Sequence, residues 1–285
     1  MELHEFIEKH RYGVNVIKEP TWELLEYFPF ERDFYNHITE NKFSIIKKSR
    51  QMHVTTMFAG YVAWRLIYNE DKDIITYVTT RYDLSKHFIG KVRGILEEYG
   101  LTKDDFDVNN KKEIKLKNGN RVLGVSSHID AFCGLTSKCI IIDEAAFIDK
   151  FKDLYTSLMP SIDVGGQIMI ASTPNGVNFF HGLYSDAMTG KNNFKVLDLI
   201  YYMHPKRGPR WFGEMSKILN NDTRKIQQEI LAEFITPIPK FKKNKSNLIQ
   251  VRLDDDMMRK LGVKLIESDN SVSEYIRKLI NKDIL

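Results

Sequence analysis

The spacing of apolar and polar residues changes several times along the chain, and each change marks an element. Residues 1–40 are amphipathic and rich in aromatics, which predicts one or two helices; Pro20-Thr21-Trp22-Glu23 reads as a helix start with Thr21 as its cap. A short apolar run over 43–47 predicts a strand, and the dense apolar stretch over 57–68 a helix. Ile74-Ile75-Thr76-Tyr77-Val78-Thr79 is β-branched and flanked by charge, hence a second strand. Leu84, Phe88, Val92, Ile95, Leu96 and Tyr99 recur at helical spacing and stop at Gly100, a favourable helix terminator. Residues 113–117 and 121–125 flank Asn118-Gly119, the signature of a hairpin whose turn takes positive φ at both central residues. The runs over 139–143, 167–172 and 195–200 are continuously apolar, as in strands covered on both faces. Strands alternating with helices predict an α/β protein with a parallel, doubly wound sheet.

The texture changes near the C-terminus. Residues 236–247, TPIPKFKKNKSN, hold two prolines and four lysines and read as a linker. Beyond it, Ile249, Val251 and Leu253 alternate with Gln250 and Arg252, a strand pattern. A helix is predicted from about 254 to 267, with Met257, Leu261 and Leu265 on one face. Ser271-Val272-Ser273-Glu274 is a capping box that opens a second helix. The acids Asp254, Asp255 and Asp256 read as stabilising a helix N-terminus rather than binding metal. One strand and two helices are too small a unit to stand alone, and the deficit is cured if two chains pair their strands. The domains expected are therefore 1–235, the linker 236–247, and a dimerising unit 248–285.

The 285-residue length suits one large domain and one small one. No run of 18 apolar residues is present, so no membrane span is expected. The first residues, MELHEFIEKHRYG, resemble neither a signal peptide nor a transit peptide. Cys133 and Cys139 lack a metal-ligand partner set and read as reduced, mostly buried thiols. Net charge is +4, and residues 240–285 carry all of it, with 11 Lys/Arg against 7 Asp/Glu. A basic tail points to an anionic partner, most simply nucleic acid.

The candidate chemistry centres on Lys48-Ser49-Arg50-Gln51-Met52-His53-Val54-Thr55. A strand precedes this octet and a helix follows it, the setting of a phosphate-binding loop of pattern G-x-x-x-x-G-K-[ST]. Thr55 keeps the final hydroxyl, whereas Lys48, His53 and Val54 stand for the first Gly, the second Gly and the Lys. Downstream, Ile140-Ile141-Ile142-Asp143-Glu144 ends a buried strand in two acids, which suits a magnesium-organising carboxylate and a water-polarising one. Ser172-Thr173-Pro174-Asn175-Gly176 follows another apolar strand and places small polar groups where open α/β sheets bind nucleotides.

In this order and spacing, KSRQMHVTT, CIIIDEAAFI and IMIASTPNG resemble the ATPase domain of the large terminase subunit of tailed phages. PFERDFYNHI, AFCGLTS and HPKRGPRWFGEM…QQEILAEF extend the resemblance over roughly residues 20–235. It implies ATP and Mg2+ as ligands, with the nucleotide site made by Lys48, Ser49, Arg50, Gln51, His53, Val54, Thr55, Thr56 and Glu31. Thr55 and Asp143 would hold the metal, Glu144 would be the catalytic carboxylate, and Ser172, Thr173 and Asn175 would couple hydrolysis to motion. Three departures bear on activity: His53-Val54 replaces the Gly-Lys pair, Glu31 replaces an adenine-reading Gln, and Cys133 stands where an arginine finger is expected. Loss of such a finger alone costs on the order of 10³–10⁵ in rate. The expectation is a terminase-like domain with little or no hydrolysis; the alternative is a working ATPase that uses Lys48 as a displaced phosphate-binding lysine.

IQVRLDDDMMRKL…SVSEYIRKLI resembles the ribbon-helix-helix domain of dimeric DNA-binding repressors. That resemblance implies base contacts from Gln250 and Arg252 and phosphate contacts at Ser271 and Ser273. About 50 residues follow Phe234, too few for the nuclease domain that large terminases carry. Together the two resemblances imply a phage or prophage protein of the bacterial cytoplasm. It would bind double-stranded DNA as a homodimer through 248–285 and act on, or interfere with, packaging alongside terminase, portal or procapsid components. A third reading is a sequence-specific regulator with the large domain as scaffold. Arg252→Ala should abolish the sequence preference of DNA binding and leave dimerisation intact, as read by competition gel shifts and analytical ultracentrifugation; unchanged preference would remove the ribbon assignment.

Overall fold

A computed structural model of the chain describes residues 1–10, 12–15, 21–24, 27–70, 72–127, 137–236, 278 and 282. The chain divides into two compact units, Met1–Pro237 and Ile238–Leu285, and the fold described is that of the first. It opens with α1 (Leu3–His10), a hairpin of β1 (Tyr12–Asn15) and β2 (Thr21–Leu24), and α2 (Pro29–Glu40). β3 (Phe43–Lys48), α3 (Val54–Tyr68), β4 (Ile74–Thr79) and α4 (Tyr82–Tyr99) follow, then β5 (Phe106–Asn109), β6 (Glu113–Leu116) and β7 (Arg121–Ser126). The last third holds β8 (Ser137–Asp143), α5 (Phe151–Leu158), β9 (Ile162–Ser172), α6 (Phe179–Met188), β10 (Lys195–Leu199) and α7 (Pro209–Ile218). A short turn, α8 (Thr223–Lys225), runs into a π-helical turn at Ile226–Ile230.

β3 to β10 form one eight-stranded sheet in the order β10-β3-β9-β8-β4-β7-β6-β5. Pairing is parallel from β10 to β7 and antiparallel across β6 and β5. The central run of β8, Cys139 to Ile142, is apolar without interruption for a reason visible in the packing. Cys139 and Ile141 pack with α1–α4 on one face, in a cluster with Phe34, Phe58 and Phe88, while Ile140 and Ile142 pack with α5 and α6 on the other, in a cluster with Leu154 and Phe180. With side chains alternating between two covered faces, no position is left for a polar residue. β9 lies between β3 and β8, so the strand feeding the phosphate-loop octet and the strand ending in the two acids are next-nearest neighbours.

Two expectations need correction. Thr21 does not cap a helix: Thr21–Leu24 is a strand paired antiparallel to Tyr12–Asn15. The helix starts later, at Pro29, where the Glu31 carboxylate accepts the Phe28 backbone N–H at 2.9 Å. In the 113–126 hairpin only Gly119 takes positive φ, at 92°. Gly119 N–H donates to Leu116 O at 2.9 Å, and Leu116 N–H donates to Asn120 O at 2.9 Å. This is a three-residue turn closed by a left-handed glycine rather than a two-residue turn. By contrast, Gly100 ends α4 in the left-handed region, at φ 112°, as its place in the pattern predicts.

Tyr77 of β4 and Phe88 of α4 stack face to face, with ring centroids 3.6 Å apart, and both are fully buried. Phe88→Ala should cost about 3–5 kcal/mol and lower the Tm by roughly 6–20 °C in thermal unfolding.

Candidate functional site

β3 delivers Lys48 to the carboxyl edge of the sheet, and residues 49–53 turn the chain into α3. Five residues from the C-terminal third, Leu199, Tyr201, Arg207, Glu229 and Ile230, hold this loop in place. Ser49 N–H donates to Leu199 O at 2.9 Å, and its hydroxyl donates to Ile230 O and accepts from Tyr201 N at 2.9 Å. Arg50 N–H donates to Glu229 O at 2.8 Å, and its guanidinium pairs with the Glu229 carboxylate. Buried Arg207 donates to Gln51 O at 2.7 Å and to Arg50 O at 3.3 Å, with its guanidinium 4.8 Å from the centre of the Trp211 ring. The loop therefore stays in a conformation that isolated residues would avoid: Gln51 and His53 sit at φ 63° and 56°. Left-handed backbone costs a non-glycine residue about 1–2 kcal/mol. His53 thus keeps the backbone conformation that the usual glycine supplies, and its carbonyl accepts the Thr56 and Met57 N–H groups at 2.9 Å to start α3.

The acidic strand meets this loop directly. Thr55 donates its hydroxyl to Asp143 Oδ2 at 2.6 Å, Tyr77 donates to the same oxygen at 3.0 Å, and Glu144 N–H donates to Asp143 Oδ1 at 3.0 Å. Burial pushes the Asp143 carboxyl above the usual range and the neighbouring Glu144 charge adds to it; Lys48 and the two hydroxyl donors oppose the rise. Lys48 Nζ donates to Glu144 Oε1 at 2.7 Å and lies 3.4 Å from Thr173 Oγ1. The third motif touches the acidic turn as well. Ser172 Oγ accepts the Ala146 N–H at 3.0 Å and Asn175 Nδ2 donates to Ala146 O at 3.2 Å. A displacement at either strand end would thus be felt at the other through hydrogen bonds.

Lys48, Gln51, Met52, His53, Val54, Thr55, Glu144 and Arg207 line a cavity of about 350 Å3. Of the residues singled out in the sequence, Lys48, Gln51, His53, Val54, Thr55 and Glu144 line it. Val54, the first residue of α3, lines the cavity while its side chain belongs to the helical core; other residues lie away from the cavity. Ser49 and Arg50 are spent on the C-terminal third, and Thr56 accepts from Lys91 Nζ at 3.3 Å. Glu31 is fully buried behind His53, with Oε1 3.7 Å from His53 Nδ1, and does not line the cavity. Cys133, Gln250, Arg252, Ser271 and Ser273 lie outside the described residues. Arg207, Tyr77 and His204 were not singled out as site residues. His204 and Arg207 stand in the HPKRGPRWFGEM stretch, and that was the available signal. The Thr55 hydroxyl and the Asp143 carboxylate, already in contact, are hard oxygen donors of the type that suits magnesium.

Comparison with known proteins gives the family and the fold. The family model for the terminase large subunit, T4likevirus-type, N-terminal, matches residues 45–253. The chain belongs to that terminase family. The match runs past residue 248, where the sequence pattern placed the start of a separate unit. The large terminase subunit of Escherichia phage T5 is 30% identical over 131 residues, covering 45% of this chain and 30% of that protein, so the shared part is under a third of the T5 subunit. The ATPase domain of the Thermus phage P74-26 large terminase superposes with a TM-score of 0.60 at 19% identity, covering 71% of this chain and 92% of that one. The HK97 bacteriophage large terminase gives 0.61 at 16% identity over 81% of this chain and 54% of that one. The large terminase from a thermophilic bacteriophage, in complex with ADP, gives 0.54 at 17% identity over 70% and 49%.

Beside the loop, His204 packs its ring 4.5 Å from Phe28 and edge-on to His53 at 5.6 Å, and its Nδ1 accepts the Lys206 N–H at 3.2 Å. Burial first, then the charges of Arg207, His53 and Lys206, lower its pKa from 6.5 to about 4. The unfolded chain takes up this proton near pH 6.5 and the folded chain only near pH 4, so stability should fall as pH drops between these values. His204→Gln should flatten that dependence in urea midpoints compared at pH 7 and pH 5.

Proposed function

We propose that this terminase-family domain binds ATP with magnesium and serves phage DNA packaging, with Lys48 supplying the phosphate-binding cation that position 54 has lost. The observation that carries this reading is the place of Lys48 Nζ, in the cavity and 2.7 Å from Glu144, next to the Thr55–Asp143 pair. A nucleotide's phosphates would lie over the N-terminus of α3, where free backbone N–H groups favour anions. Thr55 and Asp143 would hold the magnesium, whose charge neutralises the phosphate oxygens. Lys48 is paired to Glu144 until an incoming phosphate competes for its ammonium. That exchange frees the Glu144 carboxylate to polarise the attacking water, so nucleotide arrival itself arms the base. The large terminase of the thermophilic bacteriophage, solved with ADP and with ATP-gamma-S, supports nucleotide binding within this fold.

A second reading, a hydrolysis-deficient terminase relative, draws on two observations. Arg207, the other cation at the cavity, is spent on loop carbonyls, and Cys133 replaces the expected arginine finger. In either reading segment 248–285, preceded by the lysine-rich linker, is proposed to dimerise and to bind double-stranded DNA through Gln250 and Arg252, with Ser271 and Ser273 on phosphates. Terminase, portal or procapsid components are the proposed protein partners. A regulator that uses the large domain only as scaffold would bind DNA with no response to nucleotide.

Calorimetric titration with ATP and magnesium tests the reading. Lys48→Ala should weaken binding by roughly tenfold or more. Undiminished affinity in Lys48→Ala, or none in the wild type, would overturn it. Turnover that Glu144→Gln abolishes, with binding retained, selects the active motor; binding with no turnover in the wild type, with or without DNA, selects the deficient form.

A further inference from the structure

A second cavity, of about 510 Å3, opens at the opposite edge of the sheet, where β3, β8 and β9 begin. Its lining includes Lys42 before β3, Tyr61 and Arg65 on α3, Lys138 at the start of β8, and Gly165 and Gln167 of β9. Three of these side chains are cationic, and no acid is among the described residues that line it. The surroundings of Arg65 hold it in place. Its Nε donates to Asp73 Oδ2 at 2.5 Å and its Nη1 to Gln167 Oε1 at 2.8 Å. Gln167 is itself locked: Nε2 donates to Ile38 O and to Asn41 O at 3.4 Å, while Oε1 also accepts from the Tyr61 hydroxyl at 2.9 Å. The guanidinium, with only 11% of the side chain exposed, is thus fixed through two nitrogens, and its third nitrogen, Nη2, has no protein partner among the described residues. Gly165, at φ 91°, brings the β9 backbone up to the rim beside the Lys42 ammonium, where an added Cβ would come 3.7 Å from Nζ.

A fixed fork with one nitrogen left over, two lysines and a lining without carboxylates make a site for an anion. We propose that this cavity binds a small phosphate-bearing anion, with Arg65 Nη2 as its anchor and Lys42 at its mouth. Its volume favours a free phosphate or pyrophosphate over a duplex, whose backbone would meet only the rim. The site lies across the sheet from the phosphate loop, and it stands or falls independently of ATP binding there. The two sites share α3, whose first residue follows His53 and whose later turns carry Tyr61 and Arg65. An anion held by Arg65 therefore bears on the same helix that receives the nucleotide.

The test is an NMR titration of the full chain with sodium pyrophosphate, reading the Trp64 indole N–H and the Gly165 and Gly166 amides at this cavity against the His53 and Thr55 amides at the loop. Saturable shifts at the first set are expected. Lys42→Glu should weaken that binding by roughly tenfold or more and leave the loop signals as they are. Lys42→Ala should give a smaller loss in the same direction. Shifts confined to the loop, equal affinity in Lys42→Glu, or a response to a DNA oligonucleotide but not to pyrophosphate would each overturn the proposal.

Discussion

Two side-chain pairs, Thr55 with Asp143 and Lys48 with Glu144, hold the end of β3 and the start of α3 against the end of β8. β3 and β8 are not neighbours; β9 runs between them. The pairs therefore bridge over β9, and Thr173 at its end lies under the same ammonium. Each pair places a buried or half-buried acid against a donor, which is the condition for keeping such an acid in a fold at all. Asp143, sealed from water, takes two hydroxyls and a backbone N–H. Without the Tyr77 hydroxyl it would lose a donor on the oxygen shared with Thr55, and Tyr77 is in turn set by the stacked Phe88.

The loop depends on a second constraint, applied from outside. Residues 49–53 include two left-handed non-glycine residues, and local propensity alone would not keep them there. Arg207, Tyr201, Glu229 and Ile230 bind the loop through its carbonyls, amides and one serine hydroxyl. The C-terminal third, which looks peripheral in sequence, is thus the clamp that lets His53 occupy a glycine conformation. This division of labour reconciles an altered loop with an intact backbone course. Val54 sits in the core, and the cavity it borders is lined by the clamped loop and by Arg207.

Much of the framework was legible from residue pattern. The runs at 74–79 and 139–143 could only be buried strands, and Gly100 could end its helix because glycine avoids the Cβ clash at positive φ. Other features were not legible for identifiable reasons. Thr21 has the right chemistry for a cap, and pairing with Tyr12–Asn15 overrode it, since strand pairing depends on a partner that local spacing does not show. Glu31 stands, by the family resemblance, where an adenine-reading Gln is expected; its Oε2 accepts the Phe28 N–H at its own helix start, a contact that local spacing does not show.

What the sequence determined by itself was the run of strands in the parallel part of the sheet, the helices α3 and α4 and the parallel α/β class, because period and composition are local properties. What only the tertiary structure decided was which of the candidate residues meet. The insertion of β9 between β3 and β8 put Lys48 on Glu144 and Thr55 on Asp143 across gaps of 96 and 88 residues. The same packing sent the Val54 side chain into the core, withdrew Glu31 from the cavity and brought in Arg207. Contacts over such separations are set by sheet order and by core volume, and neither is written in any one segment of the chain.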